Sequence, residues 1–261
     1  MEGAAVLDNK LYLACRGSGS LVVFSAQKPH SRQFLIQIPG MTGPIDIVAC
    51  KRNRCLYVSD LGSACVWQVK DDSKSCKWLS NATWPYTLSV TRDGFVLMVR
   101  RPSNLDIYGP CANLVHSVRL PDVVLDPCHA VETSEGTYLV SHGEKLSHLH
   151  SVTELTREGL ILRSYGGPLG QKPRELDRPR YLAVDGRNNV LIADYGNNRI
   201  VMLDGSLNFA DILLRKDDDG IKNPHRICVH DNETVSVSVI SGGIVDLYSL
   251  TNASKVESSY L

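Results

Sequence analysis

The stretch RPRYLAVDGRNNVLIADYGNNRIVMLD, residues 178–204, decides the fold. YLAV and VLIA are short β-prone runs, and the Gly/Asn cluster DGRNN between them suits the positive backbone dihedrals of a tight turn. YGNN turns a second time into RIVML, and DGSLN a third time into FADILL. Four short strands joined by three tight turns predict an antiparallel meander of about 40 residues.

The phrase recurs. A proline opens it at Pro44 (GPIDIVACKRNRCLYVSDLGSACVWQV), Pro85 (WPYTLSVTRDGFVLMVRRPSNLDIY), Pro127 (DPCHAVETSEGTYLVSHGEKLSHLHSV), Pro179 and Pro224 (NPHRICVHDNETVSVSVISGGIVDLYSL), at spacings of 41, 42, 52 and 45. One period before Pro44, near Gly3, GAAVLDNKLYLACRGSGSLVVF fits the template without its proline. The chain therefore parses into units at 3–43, 44–84, 85–126, 127–178, 179–223 and 224–261. A period in the forties with four strands per unit predicts an all-β, six-bladed β-propeller, four antiparallel strands per blade. A β-sandwich would not require similarity at a fixed offset. The units run end to end, so each blade is expected from contiguous chain, with the whole forming one domain.

The motif P-x-x-(apolar)-x-V-D-x-x-x-N-V-L-I-A-D-Y-G-N-N-R-I resembles the NHL repeat, best in the Pro179 unit. The linker YGGPLGQKPRELDRP before it is similar to the glycine-rich joint that often precedes NHL blades. The Pro44 and Gly3 units match fairly. Those at Pro85, Pro127 and Pro224 carry VRRPSN, SHGEKL and VISGG in place of ADYGNN. The resemblance implies a recognition module like the one that ends tripartite-motif proteins. Cysteine spacing offers no RING and no heptads mark a coiled coil, so the expectation is the isolated recognition part, a non-enzyme without metal or cofactor.

Composition sets broad limits. Of 261 residues 43% are apolar and 21% charged, enough to bury a core, and Lys+Arg and Asp+Glu both number 28. A nucleic-acid partner is thus not implied by net charge, and any basic patch must be local. No apolar run reaches bilayer length, and the N-terminus MEGAAVLDNKLYLAC does not read as a secretory signal, so a cytoplasmic, membrane-free and monomeric domain is expected. Cys50, Cys55, Cys65 and Cys76 lack the paired knuckles of a zinc site. Cys65 and Cys76 would face each other across a turn near Asp71 and Asp72, and Cys50 and Cys55 would bracket KRNR. In a reducing compartment all four read as buried free thiols.

Function is expected at the end of the blades where the loop from the second to the third strand opens. Counting from each proline, that end collects Arg16, Arg100, Arg101, Arg180 and Arg226, with Lys172, Arg174 and Arg178 in the long linker. Trp84, Tyr86, Tyr181 and Tyr195 interleave, and His225 follows Pro224 directly. The partner-binding set read from this pattern is Arg16, Tyr86, Arg100, Arg101, Arg180, Tyr195, His225 and Arg226. Arginine beside Asp60, Asp177 or Asp194 also fits plain structural pairing. A protein partner is expected first, because rigid strands can hold loops of free sequence. Single-stranded RNA comes second, since arginine contacts phosphate and tyrosine offers a face to unstacked bases.

The amidating lyase, similar in fold to NHL propellers, implies an enzymatic alternative with an axial zinc. Only His225 sits in its ligand register. Cys128 and the displaced His129 are partial matches, against the three protein ligands that a catalytic zinc needs. His142 is expected in a loop, and His148 and His150 on one solvated strand face.

Overall fold

A computed structural model of the chain describes residues 2–25, 32–70, 74–82, 87–144, 146–172, 174–229, 236–241, 244–249 and 259–260. Its strands form sheets of four consecutive strands, each a meander in chain order. The chain divides into two compact units, residues 1–100 with 105–117, and residues 101–104 with 118–261.

The first unit holds β1 to β4 (Gly3–Leu7, Lys10–Ala14, Ser20–Ser25, Arg32–Gln37) and β5 to β8 (Pro44–Cys50, Cys55–Asp60, Cys65–Lys70, Lys74–Ser80). It also holds β9 to β11 (Leu88–Val90, Val96–Arg100, Asn104–Tyr108) and most of β12 (Leu114–Arg119). The second unit holds β13 to β16 (Pro127–Glu132, Tyr138–His142, His150–Leu155, Ile161–Gly167) and β17 to β20 (Pro179–Val184, Val190–Asp194, Arg199–Leu203, Phe209–Arg215). A single turn of helix, α1 (Lys216–Asp219), leads to β21 to β24 (Pro224–Val229, Ser236–Ser241, Ile244–Ser249, Ser259–Tyr260). Among the described residues no helix is long and apolar enough to cross a membrane.

The expectation of six full blades is corrected to five. The sheets β1–β4, β5–β8, β9–β12, β13–β16 and β17–β20 each end in a fourth strand of six or seven residues. Among the described residues the last sheet ends in a strand of two residues, Ser259–Tyr260, which meets β23 at Leu247 and Asp246. In sequence, TNASKVESSYL at 251–261 is largely polar and offers no β-prone apolar run like the FADILL of β20.

Burial explains why the sheets stack. In β18 all five residues are buried, because both faces of the sheet are covered. Alternate side chains go to opposite cores: Ile192 packs with Leu139, Val152 and Tyr165, while Leu191 and Ala193 pack with Leu214 and Ile227. In the first unit, Leu56 and Val58 join the core shared with β1–β4, while Tyr57 and Cys55 join Leu88 and Met98. Fourth strands are largely exposed, as in β8 and β12.

The turns use one device. Asp185 accepts the amides of Arg187 and Asn189, both at 2.8 Å, and Asp204 repeats this with Ser206 (2.9 Å) and Asn208 (2.8 Å). Thr133 and Thr156 hold the same two amide positions through their hydroxyls. The weaker-matching Pro127 unit therefore keeps the turn with threonine in place of aspartate.

Candidate functional site

The opening prolines and the ends of the second strands share one end of each sheet: Pro44 pairs with Asp60, Pro127 with His142, and Pro179 with Asp194. At that end the second-strand residue bonds across to its own third strand. Asp194 accepts Arg199 Nε–H at 2.6 Å, and Asp60 accepts Trp67 Nε1–H at 3.0 Å. Arg100 donates Nε–H to Asp106 at 2.5 Å, and His142 Nε2 lies 3.0 Å from Thr153 Oγ1. The two aspartates also hold the incoming linker. Asp194 accepts the Asp177 amide at 2.8 Å, and Asp60 accepts those of Thr42 (3.0 Å) and Gly43 (2.7 Å). Burial opposes the Asp60 charge, but hydrogen bonds led by those from Ser63 and Trp67 hold its carboxyl below the usual range.

The long linker is tied down by the same aspartate–arginine pair. Arg199 donates to the carbonyls of Gln171 (2.8 Å), Lys172 (3.2 Å) and Glu175 (2.5 Å), and Asn197 donates to Gly170 at 2.8 Å. At Gly196 a Cβ would lie 2.0 Å from an Asp177 carboxylate oxygen, so a larger residue in YGNN would have to displace the Asp177 side chain from the linker. The segment thereby presents Arg178 and Arg180 beside the exposed side of the turn.

Three left-handed corners enter the blades of the second unit. Asp126, Arg178 and Asn223, each directly before an opening proline, have φ of 50°, 54° and 51°. Asp and Asn tolerate this region through local hydrogen bonding, whereas a long side chain pays a steric penalty there. Arg178 occupies it nonetheless, its amide donating to His150 Nδ1 at 2.9 Å. That bond leaves His150 protonated on Nε2, which faces the Ser147 carbonyl at 3.2 Å.

The Arg178 and Arg180 guanidinium carbons lie 5.1 and 4.9 Å from the centre of the Tyr195 ring. Arg178 also pairs with Asp177 at 2.9 Å. Arg180 and Arg101 share the Glu144 carboxylate, one to each oxygen at 3.2 Å. Beneath them Cys128 is buried, and burial pushes its thiol up to about 12, so it is not a nucleophile at neutral pH. Arg180 Nε is buried with no hydrogen-bond partner, while Nη2 of the same group donates to Glu144. Next to this group, Tyr181 stacks on His129 at 3.6 Å and 22°, and the Arg226 guanidinium lies 4.9 Å over the Tyr181 ring.

Of the residues singled out from sequence, Arg101, Arg180 and Tyr195 thus come together, with Arg178 as a member that the linker pattern named but the binding set omitted. Arg226 and His225 follow on β21, Arg226 donating to the His225 carbonyl at 2.9 Å. Arg16 is exposed on its turn in the first unit, where Arg100 is committed to the buried Asp106. Tyr86, Trp84 and Pro85 lie outside the described residues, as do Asp71 and Asp72.

The histidines differ from expectation. His142 is the last residue of β14 and is buried. His150 opens β15, also buried, and only His148 is exposed. The solvated-face reading fails because the strand starts two residues later than its alternation suggested. Burial, reinforced by the nearby His150, lowers the His142 pKa to about 4, and its Nδ1 has no partner. His129 Nδ1 accepts the Leu182 amide at 3.2 Å, a tie between first strands that Asp46 makes to Leu88 at 2.9 Å in the first unit. His225 Nδ1 lies 3.3 Å from the Asn223 carbonyl. Among the described residues no three His, Cys, Asp or Glu side chains converge as a metal-ligand set. The Cys65–Cys76 facing is corrected too: Cys76 is the partner of Gln68, and Cys65 pairs with Ser80.

No protein-family model matches the sequence, and no curated protein does. Solved structures do resemble the fold. A protein of unknown function from Bacteroides caccae superposes with a TM-score of 0.72 at 13% identity, over 97% of this chain and 93% of that one. Virginiamycin B lyase from Staphylococcus aureus gives 0.69 at 10% identity, over 100% and 84%. Hydrazine synthase from Kuenenia stuttgartiensis gives 0.68 at 16% identity, over 97% and 84%. These likenesses, with the stacked meanders, define the chain as a β-propeller. They also correct the expectation of a non-enzyme: two of these structures carry enzyme names, so this framework is one that enzymes share.

Proposed function

We propose that the chain is an NHL-type propeller module that recognises a protein partner through the arginine–tyrosine surface around Tyr195. The observation that carries this reading is Arg178 in a left-handed corner, where the two equivalent corners hold Asp126 and Asn223. An unfavourable backbone conformation kept for a guanidinium over a partly exposed tyrosine favours a role for that side chain beyond folding. Arg101 and Arg180 share the Glu144 carboxylate and Arg178 pairs with Asp177, so three guanidinium groups lie against two carboxylates here, with Arg226 close by over Tyr181. The side chains of Arg101, Arg178 and Arg180 are 31%, 27% and 26% exposed, already ordered by their partners yet reachable. Arginine and tyrosine held in this way are the residue types that dominate binding energy at protein interfaces. The favoured partner is a protein segment bearing carboxylates.

Stacking argues against single-stranded RNA. A base needs a free aromatic face. Tyr181 is buried and already stacked on His129, and Tyr195 carries two guanidinium groups.

The experiment is selection of displayed random peptides on the immobilised protein, with a single-stranded RNA pool titrated alongside. Enrichment of acidic peptides that lose binding to Arg180→Ala and weaken with salt supports the proposal. Peptides indifferent to that substitution, or tight RNA binding in their place, contradict it.

A further inference from the structure

Cys50 ends β5 and Cys55 begins β6, and the two are direct partners closing the hairpin. Direct antiparallel partners have Cα atoms about 4.5–5.5 Å apart, inside the roughly 4.4–6.8 Å that a disulfide spans. Both are free thiols and both are buried. The four-residue turn between them folds over one sulfur. Cys50 Sγ accepts the Asn53 amide at 3.3 Å and faces the Gly94 carbonyl at 3.9 Å. Cys55 Sγ in turn receives Gln68 Nε2–H at 3.6 Å.

The two sulfurs are therefore unequal. Hydrogen bonding by Cys55, followed by the turn amides and the Arg52 charge, outweighs burial and lowers Cys50 to about 6, while Cys55 is raised well above the usual thiol range. Elsewhere burial wins: Cys65 and Cys128 are both pushed up. Lys51, Arg52 and Arg54 of the covering turn are exposed, so the pair lies directly beneath a surface turn, with Leu88, Val96 and Met98 packed on its other side.

We propose that Cys50 and Cys55 form a dithiol that a hydroperoxide oxidises to a cross-strand disulfide, Cys50 attacking and Cys55 resolving. The Cys50 thiolate attacks one peroxide oxygen. The S–O bond forms as the O–O bond breaks, and the departing oxygen takes up a proton to leave as alcohol or water. Cys50 is oxidised by two electrons to the sulfenic acid and the peroxide is reduced by the same two. The Cys55 sulfur then attacks the Cys50 sulfur, the S–O bond breaks, and hydroxide leaves as water with the Cys55 proton. Two thiols and one hydroperoxide give one disulfide, one alcohol or water, and one water.

The test treats the full chain with hydrogen peroxide, followed by alkylation in denaturant and peptide mapping. The expected result is a Cys50–Cys55 linked peptide that forms before Cys65 or Cys128 is modified. Its rate should fall roughly tenfold per pH unit once the pH is below that of half-ionisation. Cys55→Ser should trap a dimedone-reactive sulfenic acid at Cys50, and Cys50→Ser should leave Cys55 unreacted. If the wild-type protein loses Cys65 or Cys128 before any Cys50–Cys55 peptide appears, the proposal is overturned. It is equally overturned if Cys55 reacts as fast in Cys50→Ser as Cys50 does in Cys55→Ser. The wild-type mapping decides the matter even where a serine variant fails to fold.

Discussion

Arg100 and Asp106 form the charge-inverted counterpart of the Asp194–Arg199 pair. In the Pro179 blade the carboxylate ends the second strand and the guanidinium lies on the third, at 2.6 Å; in the Pro85 blade the guanidinium ends the second strand and the carboxylate lies on the third, at 2.5 Å. The attraction survives while its polarity is exchanged. VRRPSN, which departs from the NHL pattern at the level of letters, keeps this element of blade physics.

The inversion makes Arg100 structural. Asp106 is almost fully buried and also accepts the Ser117 hydroxyl at 2.5 Å, so removing Arg100 takes the paired charge away from a buried carboxylate. Arg100→Ala should cost about 2 kcal/mol, discounted from a fully buried pair because the arginine is 39% exposed. Denaturant melts of Arg100→Ala, Asp106→Ala and the double variant should show the double costing less than the sum. A loss below roughly half a kcal/mol, the ordinary surface value, would sink this assignment.

His142 predicts a loss of stability on mild acidification. Its folded pKa of about 4 lies below an unfolded value near 6.5. The folded state therefore resists protonation, and the stability present above pH 6.5 is lost as pH falls toward 4, by up to about 3 kcal/mol. Unfolding free energies measured from pH 7.5 to 4 should slope in this window, and His142→Gln should flatten the slope. Identical slopes would remove His142 as the cause.

Asp60 acts at lower pH. Its lowered pKa means that its contribution is present above the unfolded value near 3.9 and is lost as pH falls through the folded value. Asp60→Asn should destabilise by about 1–3 kcal/mol and shift the fluorescence of Trp67, whose indole N–H it holds. An unchanged emission spectrum would show that the bond is not made.

Much of this fold was legible in the chain because the strands are short, alternating and separated by Asp/Asn/Gly turns whose hydrogen bonds are local. The final blade was overcounted because period alone was read past Ile244, whereas among the described residues its outer strand is no more than Ser259–Tyr260. The site was read less well. Counting from the prolines placed Arg101, Arg180 and Tyr195 on one end, and Arg180 does meet Tyr195 and share Glu144 with Arg101, but counting cannot show that Asp106 claims Arg100. Nor can it show that the linker turns left-handed at Arg178. The buried histidines were missed because SHGEKLSHLH gives no signal for the residue at which the third strand starts.

Glu144 offers a test of sign. Its single negative charge bridges Arg101 and Arg180, so Glu144→Gln should raise affinity for an acidic peptide severalfold, while Arg180→Ala lowers it. Titrations at two salt concentrations would check this. Weaker binding by Glu144→Gln would mean that the carboxylate, not the guanidinium groups, meets the ligand.

The most direct measurement compares Arg178→Asn with the wild-type protein in melting temperature and in affinity for a selected acidic peptide. Asparagine suits the left-handed corner, and the part-exposed Asp177 pair that is lost is worth about 1 kcal/mol. The account predicts an unchanged or slightly raised melting temperature, with affinity about tenfold weaker as the guanidinium over Tyr195 disappears. A clear fall in melting temperature with affinity intact would contradict it, and would return Arg178 to the scaffold.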